Sequence, residues 1–166
     1  EYRCICLDTS VELVYRKVRS SVTGDGRSSV GMLLAQRIAH GTAEEMAAVT
    51  QAAAELRPEE LAQVPAQGQS VALQWKHNLG QGAQADLEVP DAMKTKLSEV
   101  AVKTVTALGM RFCSVDIIDV EDEGLMVMEV NGGVMMDSLI GQMGEAGKAL
   151  AERLYEAAVV RALSSR

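Results

Sequence analysis

The sequence predicts an α+β fold with a mainly antiparallel sheet flanked by helices. Three observations carry that expectation. Residues 2–18 and 114–131 each hold two strand-like runs joined by a short polar turn, the pattern of an antiparallel hairpin. Residues 91–108 and 141–164 repeat apolar side chains at helical spacing. Of the 166 residues 48% are hydrophobic and only 3% aromatic, so a core can form and must be aliphatic. The expected organisation is a single domain over 1–166, with a helical insertion at about 40–69.

Composition excludes several classes of function. A net charge of −7 argues against nucleic acid as the main partner. Three cysteines are an odd count, and Cys4 and Cys6 share one face of a strand, a geometry that does not favour a bridge between them. This is the cysteine usage of a reduced, cytoplasmic chain. No signal peptide is visible, and no apolar run is long enough for a membrane. The chain opens at Glu1 in a strand-like run without a Met, as an excised part of a longer protein would.

The first hairpin pairs residues 2–8 with 11–18 around Asp8-Thr9-Ser10. Its arginines, Arg3 and Arg16, read either as solvated side chains or as stems lying over apolar neighbours. Gly24-Asp25-Gly26-Arg27-Ser28-Ser29 is a tight turn into a helix that Ser28 or Ser29 can cap. Such a turn could hold an anion on its N–H groups, or could simply need positive φ. It matches neither the P-loop nor the dinucleotide fingerprint. Residues 43–56 read as a helix, Pro58 starts a shorter one, and Pro65 to Gly68 is a loop. Residues 70–77 alternate as a strand, followed by the glycine-rich Asn78-Leu79-Gly80-Gln81-Gly82-Ala83. Glycines there would let backbone N–H groups approach an anion, with Lys76 adding charge. Asp91 can cap the helix that ends at Gly109, and Met93, Leu97, Val100, Ala101, Val105 and Leu108 form its core stripe. Residues 141–164 form the last amphipathic helix, with Met143, Leu150, Leu154 and Ala158 inward.

The chemistry concentrates in the second hairpin. With its turn centred between Asp122 and Glu123, Asp116 falls opposite Glu129, and Asn131 shares Glu129's face. Opposed Cβ atoms lie only about 5 Å apart, where like charges destabilise. A cation between them removes that conflict. Two carboxylates and an amide oxygen make a hard, all-oxygen site, suited to Mg²⁺. The alternative is a pair of carboxylates on a solvated sheet face, but Val127, Met128 and Val130 argue for a strand covered on one face. An EF-hand loop starting at Asp119 fails, because its twelfth position is Val130 where a Glu is required.

Ser114-Val115-Asp116-Ile117, followed by Glu129-Val130-Asn131, resembles the metal-binding signature of ATP-grasp ligases. Glu1-Tyr2-Arg3, Arg16-Lys17-Val18-Arg19 and Gly24-Asp25-Gly26 appear in the order seen in its glutathione-synthetase-like and cyanophycin-synthetase-like members, and the family also includes ribosomal-protein glutamate ligases. The resemblance covers nearly the whole chain and is strongest at 1–27 and 71–139. It implies the C-terminal portion of an ATP-grasp fold, with ATP and Mg²⁺ as cofactors. It implies a ligase that activates a carboxylate as an acyl phosphate and joins it to an amine of an amino acid or peptide. It assigns metal binding to Asp116, Glu129 and Asn131. One or more of Arg3, Arg16 and Arg19 faces the acyl-phosphate site. Asn78, Gly80, Gly82 and Lys76 lie near the nucleotide phosphates, and Met128 lies under the adenine. The partners implied are small-molecule carboxylate and amine substrates and the N-terminal ATP-grasp subdomain of the same protein, without nucleic acid or membrane; a homo-oligomer is compatible with this. Gly132-Gly133 stands where many members carry Pro-Gly, which leaves the acceptor open. The rival readings are a phosphotransferase use of the fold and a nucleotide-binding module without catalysis.

Overall fold

The computed structural model describes residues 1–41, 43–73 and 77–164. They divide into two compact units: Glu1–Lys17 with Ala85–Arg166, and Val18–Gln84.

The first unit is built on a five-stranded sheet. Its strands are β1 (Tyr2–Leu7), β2 (Ser10–Val18), β5 (Gln84–Asp86), β6 (Phe112–Val120) and β7 (Gly124–Asn131), in the order β5-β2-β1-β6-β7. The pairs β1–β2, β1–β6 and β6–β7 are antiparallel. Alternation along β1 and β6 sorts the side chains into two faces. One face carries Cys4, Cys6, Cys113, Val115 and Ile117, all buried against Leu97, Ala101 and Val105 of helix α4 (Asp91–Leu108). The cysteines are free thiols and serve as small core residues. Burial pushes the Cys4 and Cys6 thiols up to about 12. Gly109, at φ 65°, ends α4, but Leu108 faces outward, so the stripe stops one turn earlier than its spacing predicts. Asp91 is the first helical residue after Pro90 rather than a side-chain cap.

The other face carries Glu1, Arg3, Ile5, Tyr15, Lys17, Ser114 and Asp116. At its Leu7–Phe112 end, Phe112 meets the ring of Tyr155 edge-on, and Arg161 donates to the Leu7 carbonyl. Both residues belong to α6 (Glu145–Ser164). The single C-terminal helix expected is two: α5 (Asp137–Met143) ends at Gly144, φ 58°, before α6 begins. Gly147, Ala151 and Leu154 are the buried residues of α6.

The second unit holds β3 (Ser21–Thr23) paired with β4 (Ser70–Ala72), and helices α1 (Val30–His40), α2 (Ala43–Ala54) and α3 (Pro58–Ala62). Val22, Val30, Leu34, Val49, Ala52 and Leu73 form its core. Ser29 caps α1 by accepting from the Met32 N–H. Among the described residues, no helix is long and apolar enough to cross a membrane.

Candidate metal centre

The centre of interest is a row of side chains running across four strands. Tyr15, Arg3, Asp116 and Glu129 are successive partners on β2, β1, β6 and β7. The next row is Leu13, Ile5, Ser114 and Asn131. Asp116 and Glu129 therefore face each other as their spacing predicts, and Asn131 follows on the same face.

The hairpin reaches that register by an unexpected route. Its turn is centred on Asp122, since Val120 pairs with Gly124 and Asp119 with Leu125. Asp122 and Gly124 both take positive φ, 72° and 82°. Continued unbroken, this register would set Asp116 against Met128. A bulge intervenes: Ile117 pairs with Val127 but Asp116 with Glu129. One extra residue thus enters β7. Leu125 and Val130 both pack against the α4 core. Val127 pairs with the core-facing Ile117, so Met128 and Glu129 both lie off the core side.

Asp116 is 3% exposed, and three charge-assisted bonds hold it. Arg3 donates through Nε to Oδ1 and through Nη2 to Oδ2, both at 2.7 Å, and Lys17 Nζ reaches Oδ2 at 2.8 Å. Lys17, itself buried, also donates to Glu1, whose main-chain carbonyl accepts from the Lys17 N–H. Burial would push the Asp116 carboxyl up, but the bonds from Arg3 and Lys17 outweigh it and hold it below the usual range. The bidentate contact with Asp116 raises the Arg3 guanidinium further. Glu129 is exposed and makes no hydrogen bond or ion pair among the described residues, and neither does the Asn131 side chain.

The donor set fits a hard divalent cation. All three groups offer oxygen, two are opposed carboxylates, and Glu129 and Asn131 are unspent. Asp116 has one acceptor position left, on Oδ1, because Arg3 and Lys17 take the others.

Arg16 pairs with Tyr2, on the face opposite Asp116, and makes a 2.7 Å ion pair with Asp86. Strand alternation alone turns it away. Arg19 is exposed between β2 and β3. Asn78 opens a 3-10 turn, Leu79–Gln81, and its Oδ1 accepts from the Gly80 N–H at 3.0 Å. The Gly82 N–H goes to the Leu79 carbonyl, with Gly82 at φ 94°. These two N–H groups bond inside the turn. The Asn78 side-chain NH₂ is without a partner among the described residues. Lys76 lies outside the described residues. The Gly24-Asp25-Gly26 turn is also held by internal bonds. Gly24 N–H and Gly26 N–H bond the carbonyls of Gln69 and Pro65, and a Cβ on Gly24 would lie 2.3 Å from the Ala66 oxygen. The Asp25 carboxylate takes Arg27 N–H, Ser28 N–H and Ser28 Oγ.

Lys17 and Glu1 escaped the sequence reading. The signal was available in part: Lys17 lies two residues from Tyr15 and one from Arg16, so if Arg16 faces one side, Lys17 must face the other.

The RimK-like ATP-grasp domain profile matches residues 62–153, more than half of the chain. The chain belongs to the RimK-like ATP-grasp family. It is 27% identical over 128 residues to the glutathione biosynthesis bifunctional protein GshAB of Enterococcus faecalis, an alignment covering 71% of this chain and 17% of that protein. Its fold is shared with a bifunctional glutathione synthetase from Pasteurella multocida, at TM-score 0.54 and 21% identity over 94% of this chain and 24% of that one. The chain thus spans about a sixth to a quarter of the length of these relatives. The α+β architecture expected from the sequence is the one observed.

Proposed function

We propose that this chain is the C-terminal portion of an ATP-grasp carboxylate–amine ligase and carries its metal-binding corner. The observation that carries this reading is the pairing of Asp116 with Glu129, with Asn131 one step along the same face. Family membership and the likeness to GshAB support it.

In this reading a carboxylate oxygen of one substrate takes the γ-phosphoryl group of ATP, giving an acyl phosphate and ADP. The amine nitrogen of the second substrate then forms a bond to the acyl carbon. The C–O bond to phosphate breaks, phosphate leaves, and the amine loses a proton. There is little covalent work for the protein, which orients the reactants and neutralises charge. Asp116, Glu129 and Asn131 would hold Mg²⁺. Bound there, it would supply charge neutralisation for the phosphates. Of the three arginines Arg3 fits the phosphoryl site best, because it shares the row with Asp116 while Arg16 points away. Met128, beside Glu129 and 61% exposed, offers an apolar surface for the adenine.

The test is Glu129→Gln in the full-length enzyme. Glu129 is exposed and has no partner among the described residues, so the fold should stand while ATP-dependent amide formation is lost. Near-normal turnover by this variant would sink the assignment.

A further inference from the structure

We propose that Arg3 and Lys17 act as exchangeable counter-ions. They neutralise Asp116 in the unliganded state, then give it up to the divalent cation and turn to the anion that accompanies it. This rests on Asp116, Glu129 and Asn131 being metal ligands.

The argument is a count of bonds and charges. Asp116 offers about four acceptor positions. Arg3 and Lys17 fill three of them. Arg3 and Lys17 bring two positive charges to the single negative charge of Asp116, so that charge is met without a metal. A third positive species on Asp116 would sit beside two fixed cations in a site that is 3% exposed. Repulsion there is weakly screened by water. Glu129, exposed and without a partner among the described residues, attracts a cation but cannot replace Asp116 alone. The conflict ends when an oligophosphate enters. Its oxygens accept from the guanidinium and the ammonium, both of which suit phosphate. Asp116 is then released to complete the metal shell with Glu129 and Asn131. Lys17 thereby gains a role beyond packing: it sets the order in which the site fills, holding metal affinity low until the anion is present.

A purely structural Lys17 predicts the opposite sign. If Lys17 only braced Asp116, removing it would loosen the ligands and weaken metal binding. Under exchange, removing it strips away a competitor.

The experiment titrates Mn²⁺, read by electron paramagnetic resonance, into full-length wild type, Lys17→Met, Arg3→Gln and Glu129→Gln. Each titration is run with and without tripolyphosphate. Lys17→Met is expected to bind Mn²⁺ alone more tightly, on the order of tenfold, the scale of one unit charge a few ångströms away. The enhancement that tripolyphosphate gives the wild type should fall by a comparable factor. Arg3→Gln, at a partly exposed position, should shift in the same direction, and it carries the test if Lys17→Met does not fold. Unchanged or weaker Mn²⁺ binding by the folded variants overturns the exchange. Glu129→Gln separates the two readings. If it binds Mn²⁺ as the wild type does, the metal centre itself is wrong. If it loses Mn²⁺ while Lys17→Met fails to tighten, the metal centre stands and the exchange does not.

Discussion

Asp116 and Glu129 are partners across one strand pair, yet their surroundings give them different consequences when changed. Asp116 is buried and holds two cations, so neutralising it weakens both bonds from Arg3 and leaves Lys17 to its bond with Glu1. Asp116→Asn should cost about 3–5 kcal/mol of stability, the usual penalty for breaking a buried ion pair from one side. Glu129→Gln, on an exposed and unpaired side chain, should stay within about 0.5 kcal/mol of wild type. Chemical denaturation of the two variants checks this, and equal losses would show that the Arg3–Lys17 cluster does not hold Asp116. A second residue-scale prediction concerns Asp25. Three hydrogen bonds, two from Ser28 and one from the Arg27 N–H, pull its carboxyl down to about 2. A carboxyl lowered on folding stabilises the fold above its unfolded value and loses that contribution as pH falls through its folded value. Asp25→Ala should therefore melt below wild type at neutral pH. The gap should close as the pH drops from about 4 to about 2. A gap that persists unchanged across that window would mean the carboxylate charge is irrelevant to the turn.

At the scale of elements, glycine placement shows what was legible and what was not. Gly109, just past a long periodic stripe, announces the end of α4, and its φ of 65° bears this out. Gly144 announces nothing of the kind, because apolar spacing continues on both sides of it. The break between α5 and α6 follows from a close packing that spacing does not reveal. A Cβ on Gly147 would lie 2.9 Å from the Leu139 oxygen and from Met143 Cβ. Gly→Ala inside a helix ordinarily gains about 1 kcal/mol. Here overpacking of about 1–3 kcal/mol opposes it, and the nearest groups include backbone that cannot swing aside. Gly147→Ala should destabilise, whereas Gly141→Ala, whose Cβ meets nothing within 4 Å, should be neutral or stabilising. Denaturation midpoints read both, and a stabilised Gly147→Ala would show that α5 and α6 do not approach as closely as described. The β7 bulge was equally hidden. The expected hairpin centre was half a residue off, and the extra residue in β7 compensates, so the pairing of Asp116 with Glu129 came out right while the turn did not. Alternation cannot report a bulge, because Met126, Val127 and Met128 are a continuous apolar run on which a one-residue slip leaves no mark.

At the scale of the molecule, local pattern indicates the hairpins but not their neighbours. Nothing in residues 1–17 says that β1 lies between β2 and β6, and that arrangement alone brings Lys17 and Asp116 together across 99 positions of sequence. The proposed metal ligands were legible because they lie within one hairpin. Their counter-ions were not, because they arrive by long-range strand pairing. The same limit bears on nucleotide binding. The family resemblance implies an N-terminal ATP-grasp subdomain as partner, and this chain spans only 17–24% of the relatives' length. Residues 1–166 alone should therefore bind Mg·ATP weakly and form no amide. Adenine would meet Met128 on one side and water on the other, losing half of an apolar enclosure worth about 25 cal/mol per Å². The net charge of −7 also repels a polyanion. Asp116 is already neutralised by Arg3 and Lys17, so the cation gains little from it until phosphate oxygens are there to take those two side chains. Titration calorimetry of the purified chain with Mg·ATP measures the outcome. Tight binding, in the low micromolar range, would show that these residues form a self-sufficient nucleotide site.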